Sequence, residues 1–94
     1  MDYFISYAGQ SVVLDEEIKN IVINKHPETQ KFIDRIAITL RDPDLVKQSK
    51  TSKRARLYYH FFGDILKGKY FVVVVKQVEQ HYVSTFYITD KQIK

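Results

Sequence analysis

Apolar residues change their spacing along the chain, and each change marks an element. Tyr3 to Tyr7 and Ser11 to Leu14 are two short extended pieces around Ala8-Gly9-Gln10, a turn in which glycine takes a positive φ at little cost. They predict a small N-terminal hairpin. Leu14, Ile18, Ile21 and Val22 then repeat at offsets 0, 4, 7 and 8, while Asp15 offers a capping oxygen and Glu16 and Glu17 suit the positive end of a helix dipole. A first amphipathic helix is expected over roughly residues 15–25. Pro27 biases His26 away from helical angles and suits a new first turn, and Phe32, Ile33, Ile36, Ala37 and Leu40 line one face of a second helix. That helix should stop before Asp42-Pro43-Asp44.

Beyond a connector from Lys47 to Lys53, the pattern is strand-like. Arg54 to Phe62 alternates, with Ala55, Leu57, Tyr59 and Phe61 on one face, expected to be core. Arg54, Arg56, Tyr58, His60 and Phe62 fall on the other. Tyr70 to Val78 is apolar on both faces, as a central strand requires, and Tyr82 to Thr89 is β-branched and aromatic, with Glu79-Gln80-His81 short enough to join the two as a hairpin. In the last strand Val83, Thr85, Tyr87 and Thr89 share one face, opposite Phe86 and Ile88. If Phe86 and Ile88 point to the helices, Thr85 and Tyr87 point outward, onto the surface expected to carry Arg56. The fold class is α+β: a small hairpin, then two helices packed on one face of an antiparallel sheet of at least three strands.

Ninety-four residues are expected to form one domain, 1–94, with 45% hydrophobic and 28% charged residues as in ordinary globules. No cysteine is present, which removes disulfides, thiolate metal sites and a cysteine nucleophile together and is compatible with a cytoplasmic location. The apolar run Tyr70 to Val75 is about a third of a membrane span, and the N-terminus shows no basic region leading into a long apolar one, so neither membrane insertion nor a secretion signal is expected.

Charge is unevenly divided. Residues 1–46 hold five Lys/Arg against eight Asp/Glu, and residues 47–94 hold ten against three, which yields the net +4. Lys47, Lys50, Lys53, Arg54 and Arg56 fall within ten residues without an acid among them. Such a field raises phosphate affinity and on-rate, although a solvated loop has the same composition.

The chemistry available is narrow. His26, His60 and His81 show no metal-ligand spacing, three scattered glycines cannot build a phosphate-cradling loop, and no serine has an elbow context, so neither a metal nor another cofactor is expected. What remains suffices for metal-free cleavage of RNA, which supplies its own nucleophile. The 2′-hydroxyl attacks the phosphate, one group takes its proton, another protonates the leaving 5′-oxygen, and cations stabilise the added charge. His26, read at a helix start, sits where a dipole favours the neutral imidazole that accepts a proton; it also reads as a simple cap beside Pro27. Arg54 and Arg56, two apart in a strand, can present both guanidinium groups to one phosphate region. Tyr58 and His60 add a stacking ring and a second titratable group, or packing alone. Thr85 and Tyr87 offer a hydroxyl and a phenol to orient a phosphate or protonate a leaving group, though both also suit a strand.

The run from Val12 to Thr89 resembles the superfamily of small nucleases that groups barnase, EndoU, the tRNA-cleaving colicins and RelE, in particular its phage-associated branch. The landmarks are Val13-Leu14-Asp15, Lys25-His26-Pro27-Glu28, Leu40-Arg41-Asp42-Pro43-Asp44, Arg56-Leu57-Tyr58-Tyr59, the Phe71 to Lys76 strand, and Val83 to Thr89. The resemblance implies a metal-free ribonuclease site of His26, Arg56 or its neighbour Tyr58, Thr85 and Tyr87, with Lys50, Lys53, Arg54, Tyr58 and His60 holding RNA. One departure stands out: similar sequences often carry a histidine in the first helix where this chain has Asn20. The readings are a toxin-like or phage-derived ribonuclease controlled by an acidic antitoxin or immunity protein, a noncatalytic RNA- or protein-binding module on the same scaffold, and a self-associating protein.

Overall fold

Asp15 carries out the capping role its position implies: its Oδ1 accepts the Glu17 N–H at 2.8 Å and starts helix α1, Glu16–Lys25. Before it, β1 (Asp2–Ile5) and β2 (Ser11–Leu14) pair across a turn in which Gly9 has φ 78°. The computed structural model describes residues 1–90. The second helix divides. Residues Pro27–Phe32 form a 3-10 turn, because Thr29 directs both its N–H (2.9 Å) and its hydroxyl (2.7 Å) to the His26 carbonyl, and only Arg35–Arg41 is α-helical (α2).

The expected basic connector is in part a strand: Leu45–Gln48 forms β3, an edge strand on β4, Ala55–Phe62. β5 (Lys69–Lys76) and β6 (His81–Thr89) complete a six-stranded sheet ordered β1-β2-β6-β5-β4-β3. The sheet is mixed rather than antiparallel throughout. Val12 and Val13 pair in parallel with His81 and Tyr82, so the N-terminal hairpin extends the main sheet instead of standing apart. No helix is long and apolar enough to cross a membrane among the described residues.

Both helices cover one face of this sheet. Val22 of α1 and Ile36 and Leu40 of α2 close over Val12, Leu14, Tyr58, Phe71, Val73, Val83 and Phe86, with the Phe71 and Phe86 rings stacked at 6.1 Å. Burying each such side chain contributes about 1.5–3 kcal/mol against the entropy of ordering the chain.

Two facing assignments differ from those expected. In β4 it is Tyr58, 1% exposed, and Phe62 that point to the helices, while Leu57, Tyr59 and Phe61 lie on the uncovered face, Phe61 at 48% exposure. Aromatic residues occupy both faces of this strand, so alternation alone leaves the choice of face open; the two polar members on the helix side are accommodated where cover ends. Arg56 reaches solvent at the start of the strand, and His60 meets the Asp42 carbonyl at the end of α2 with its Nδ1 at 2.6 Å. In β6 the register shifts opposite Val74/Val75, so Val83 and Phe86 both turn inward although three positions separate them. A bulge of this kind resets the alternation.

Candidate nucleic-acid interface

The uncovered face is built in rows across the strands. Tyr87, Val72, Tyr59 and Leu45 form one row, from β6 to β3, and Thr85, Val74, Leu57 and Lys47 the next. Thr89, Tyr70 and Phe61 continue it on one side, Tyr82, Lys76 and Ala55 on the other. The positions of β3 to β6 projecting from this face are therefore tyrosines, a phenylalanine, threonines, lysines and aliphatic residues, with no histidine or carboxylate among them.

Within the central row the Tyr87 and Tyr59 hydroxyls hydrogen-bond over Val72, which is fully buried although it lies on the uncovered face. Burial, then the charge of the neighbouring Tyr59 phenol when ionised and the hydrogen bond to it, push the Tyr87 phenol above its ordinary 10.0. It stays a proton donor throughout the physiological range. Tyr59 in turn meets the Tyr70 ring edge-on at 6.3 Å, and Phe61 meets it at 5.3 Å, so a continuous aromatic surface runs from the centre of the sheet to its end. Lys76 closes the other end, its Nζ 3.1 Å from the Ser52 hydroxyl.

The residues expected to act together divide between the two sides of the sheet. Thr85 and Tyr87 are on the uncovered face, whereas Arg56, Tyr58 and His60 are on the helix side, which corrects the expectation that Arg56 shares a surface with Tyr87. Tyr58 is core, with the Tyr7 ring edge-on at 6.0 Å, and burial raises its phenol too. His60 donates its Nδ1–H to a carbonyl, which leaves Nε2 as the acceptor, and its ring lies 4.5 Å from Phe62. His26 stands in the helical layer: its N–H donates to the Val22 carbonyl at 2.7 Å, so it closes α1, and its side chain lies 3.8 Å from Glu28. His26 thus stands between two helical ends: it precedes the 3-10 turn as its N-cap, the start expected of it, and it also meets the negative end of the α1 dipole. Asn20 is on the exposed side of α1.

Lys50, Lys53 and Arg54 occupy the loop between β3 and β4, with Lys47 on the uncovered face beside them and Arg56 on the helix side, so cations line the β3 edge from both directions. None of the five forms an ion pair among the described residues, where Lys19, Arg35 and Lys69 do. No group of three or more histidine, aspartate or glutamate side chains capable of holding a metal gathers among the described residues.

A sheet with helices on one face and hydroxyls, phenols and free cations on the other is the frame in which the comparison with known families applies. The model of PBECR2, phage-Barnase-EndoU-ColicinE5/D-RelE like nuclease2, matches residues 1–94. The chain belongs to the PBECR2 family. It is thus a member of a phage-associated nuclease family, as its landmark motifs implied. No curated protein and no solved structure matches it.

Sequence reasoning missed Tyr59 and Tyr70 as surface groups of this PBECR2 chain, and it placed Lys47 in a connector rather than on a strand. A signal was present in Leu45-Val46-Lys47, whose β-branched centre and apolar start mark a short strand; recognising it would have placed Lys47 beside Leu57 and both on a face with Tyr59.

Proposed function

We propose that this PBECR2 protein is a small, metal-independent endoribonuclease, toxin-like or phage-derived, that cleaves RNA lying across the uncovered face of its sheet. The observation that carries the reading is the Tyr87 phenol, held protonated in the centre of that face between Thr85 and the aromatic row. In the reaction the 2′-oxygen bonds to phosphorus as its proton leaves to water. The bond from phosphorus to the 5′-oxygen breaks, and Tyr87 supplies the proton that this oxygen takes up, regaining one from solvent afterwards. Lys76, with the Thr85 hydroxyl, opposes the charge on the phosphorane oxygens. Products are a cyclic 2′,3′-phosphate and a free 5′-hydroxyl. Lys50, Lys53 and Arg54 draw the strand to the β3 edge, and an acidic antitoxin or immunity protein would compete for the same cations.

Among the described residues no imidazole or carboxylate projects from the strands of this face to take the 2′-proton, and Asn20 stands where the family resemblance often implies a histidine. Both favour a second reading, a noncatalytic RNA-binding module on the same scaffold. Incubating the protein with single-stranded RNA in excess chelator separates the two: fragments ending in cyclic 2′,3′-phosphate support cleavage, and intact RNA retained in a salt-sensitive complex supports the module.

A further inference from the structure

Beside the Tyr59–Tyr87 pair, at the β3 edge of the uncovered face, lies a hollow of about 300 Å3 lined by Lys47, Gln48, Ser49, Lys50, Leu57 and Tyr59. Its walls are prearranged. The Gln48 amide nitrogen donates to the carbonyls of Ser52 (3.1 Å), Lys53 (2.7 Å) and Ala55 (3.1 Å), and the Ser49 hydroxyl accepts the N–H groups of Thr51 (3.2 Å) and Ser52 (3.3 Å). The loop is therefore closed before anything binds, which removes an ordering cost from binding. Tyr59 is likewise held, by the Tyr87 hydroxyl and the Tyr70 ring.

The lining has a definite chemical preference. An aromatic ring and a leucine offer apolar surface to something flat, and two ammonium groups without carboxylate partners offer charge to an anion. A metal ion or a basic peptide finds no carboxylate here, and a purely apolar ligand leaves both cations without a counter-charge. The volume is at the small end of ligand sites and suits a single nucleotide rather than a longer ligand. Tyr59 joins the hollow to the Tyr87 hydroxyl. With strands about 4.8 Å apart, the middle of the β3–β4 pair and the position over β5 where the hydroxyls meet are about 7 Å apart, within the reach of one nucleotide.

We infer that this hollow is a nucleotide subsite, which takes the base of one RNA nucleotide against Tyr59 and Leu57 and its phosphate between Lys47 and Lys50. The inference rests on the ribonuclease reading for the role of Tyr87, and it adds the place of the nucleotide next to the scissile phosphate. The subsite holds the RNA in register, so that the neighbouring phosphate lies over the Tyr59–Tyr87 row.

The test is titration of the whole chain with uridine 3′-phosphate, adenosine 3′-phosphate and inorganic phosphate, followed by backbone amide NMR. Both nucleotides are expected to move the amides of Lys47 to Lys50, Leu57 and Tyr59, and to bind about five- to a hundred-fold tighter than inorganic phosphate, the range one stacked base supplies. Leu57→Phe, which fills the hollow, should erase the preference for nucleotide over phosphate, and Lys50→Ala, at an exposed loop position, should weaken both ligands. Nucleotides that bind no tighter than phosphate, or shifts located elsewhere on the sheet, overturn the subsite. Protein that cleaves RNA but fails this titration loses the subsite and keeps the nuclease reading, whereas protein that passes it without cleaving keeps the subsite and loses the nuclease.

Discussion

Tyr59 and Tyr87 belong to strands separated by a third, yet their hydroxyls hydrogen-bond, because Val72 pairs with both and sets them in one row of the uncovered face. The donated proton is on Tyr87, the group proposed to protonate the leaving oxygen. Tyr87→Phe keeps the ring and removes only that proton. Cleavage is expected to fall about 10²- to 10⁴-fold, the range for loss of a general acid, with RNA affinity changed by less than a few-fold. Gel quantification of cleavage alongside a binding titration checks this; an unchanged rate would reject Tyr87 as the acid.

The same face sets the shape of the pH–rate profile. With no imidazole or carboxylate projecting from its strands among the described residues, the proposed reaction gives the 2′-proton to solvent, and the rate above the protein-free background should climb with pH past neutrality, without a break near the histidine range of about 6.5. It should turn over above 10, where Tyr87 begins to lose its proton. His26→Ala is expected to leave the profile unmoved, since His26 stands in the helical layer. A bell centred near neutrality that disappears in that variant would return His26 to the mechanism.

Stability should respond to alkali through Tyr58 and Tyr87. Burial raises both phenols above 10.0, so from about that pH the unfolded chain releases their protons while the native chain still binds them. Native stability is thus constant with respect to these groups below pH 10 and declines above it, by up to about 1.4 kcal/mol per pH unit for each until the native groups ionise. Denaturant midpoints across pH 8 to about 12 should show the decline, and Tyr58→Phe or Tyr87→Phe should flatten it. A wild-type curve no steeper than either variant's would contradict the assignment.

Much of this architecture was legible in the residues themselves, and the exceptions have physical causes. The Asp15 cap, the Gly9 turn and the β5–β6 hairpin depend on local chemistry, which neighbouring residues determine. Facing in β4 depends on what covers the strand, and with aromatics at Tyr58 and Phe62 on one side and Tyr59 and Phe61 on the other, local pattern was silent. The parallel pairing of Val12 with His81 joins positions far apart in the chain and leaves no local signature. The candidate site suffered from the same causes: Thr85 and Tyr87 were placed correctly on the uncovered face because Phe86 and Ile88 are unambiguous, while Arg56 and His60 followed the wrong face of β4.

The turn between β4 and β5 stores backbone strain. Leu66 and Lys67 have φ of 45° and 68°, and Gly68 has φ of 107°, where a Cβ would stand 2.8 Å from the Phe61 ring and crowd it. Left-handed residues other than glycine cost about 1–2 kcal/mol, so Lys67→Gly, at an exposed position, should raise the melting temperature by a few degrees. Gly68→Ala should lower it by about as much or more. Thermal scans of both decide the matter; opposite signs would show the turn relaxed.

RNA binding should be steep in salt. For a single strand, log affinity falls against log salt by about 0.7 per phosphate contact, so Lys50→Ala should reduce the slope by about that amount and Lys47→Ala by a similar one. Lys31→Ala, on the 3-10 turn in the helical layer, should leave it unchanged. Filter binding from low to moderate salt measures these slopes, and equal effects from all three would mean that no particular face receives the RNA.

The parallel ladder between β2 and β6 has a consequence for the timing of assembly. Within the sheet, the β1–β2 hairpin has no strand beside it until β6 has been translated and can slot between β2 and β5. Pairings this remote in the chain form late and slowly. Tyr87 is on β6, so the uncovered face receives its phenol only when the sheet closes, and a nascent chain carries the basic loop for a time without the group proposed to make contact with RNA destructive.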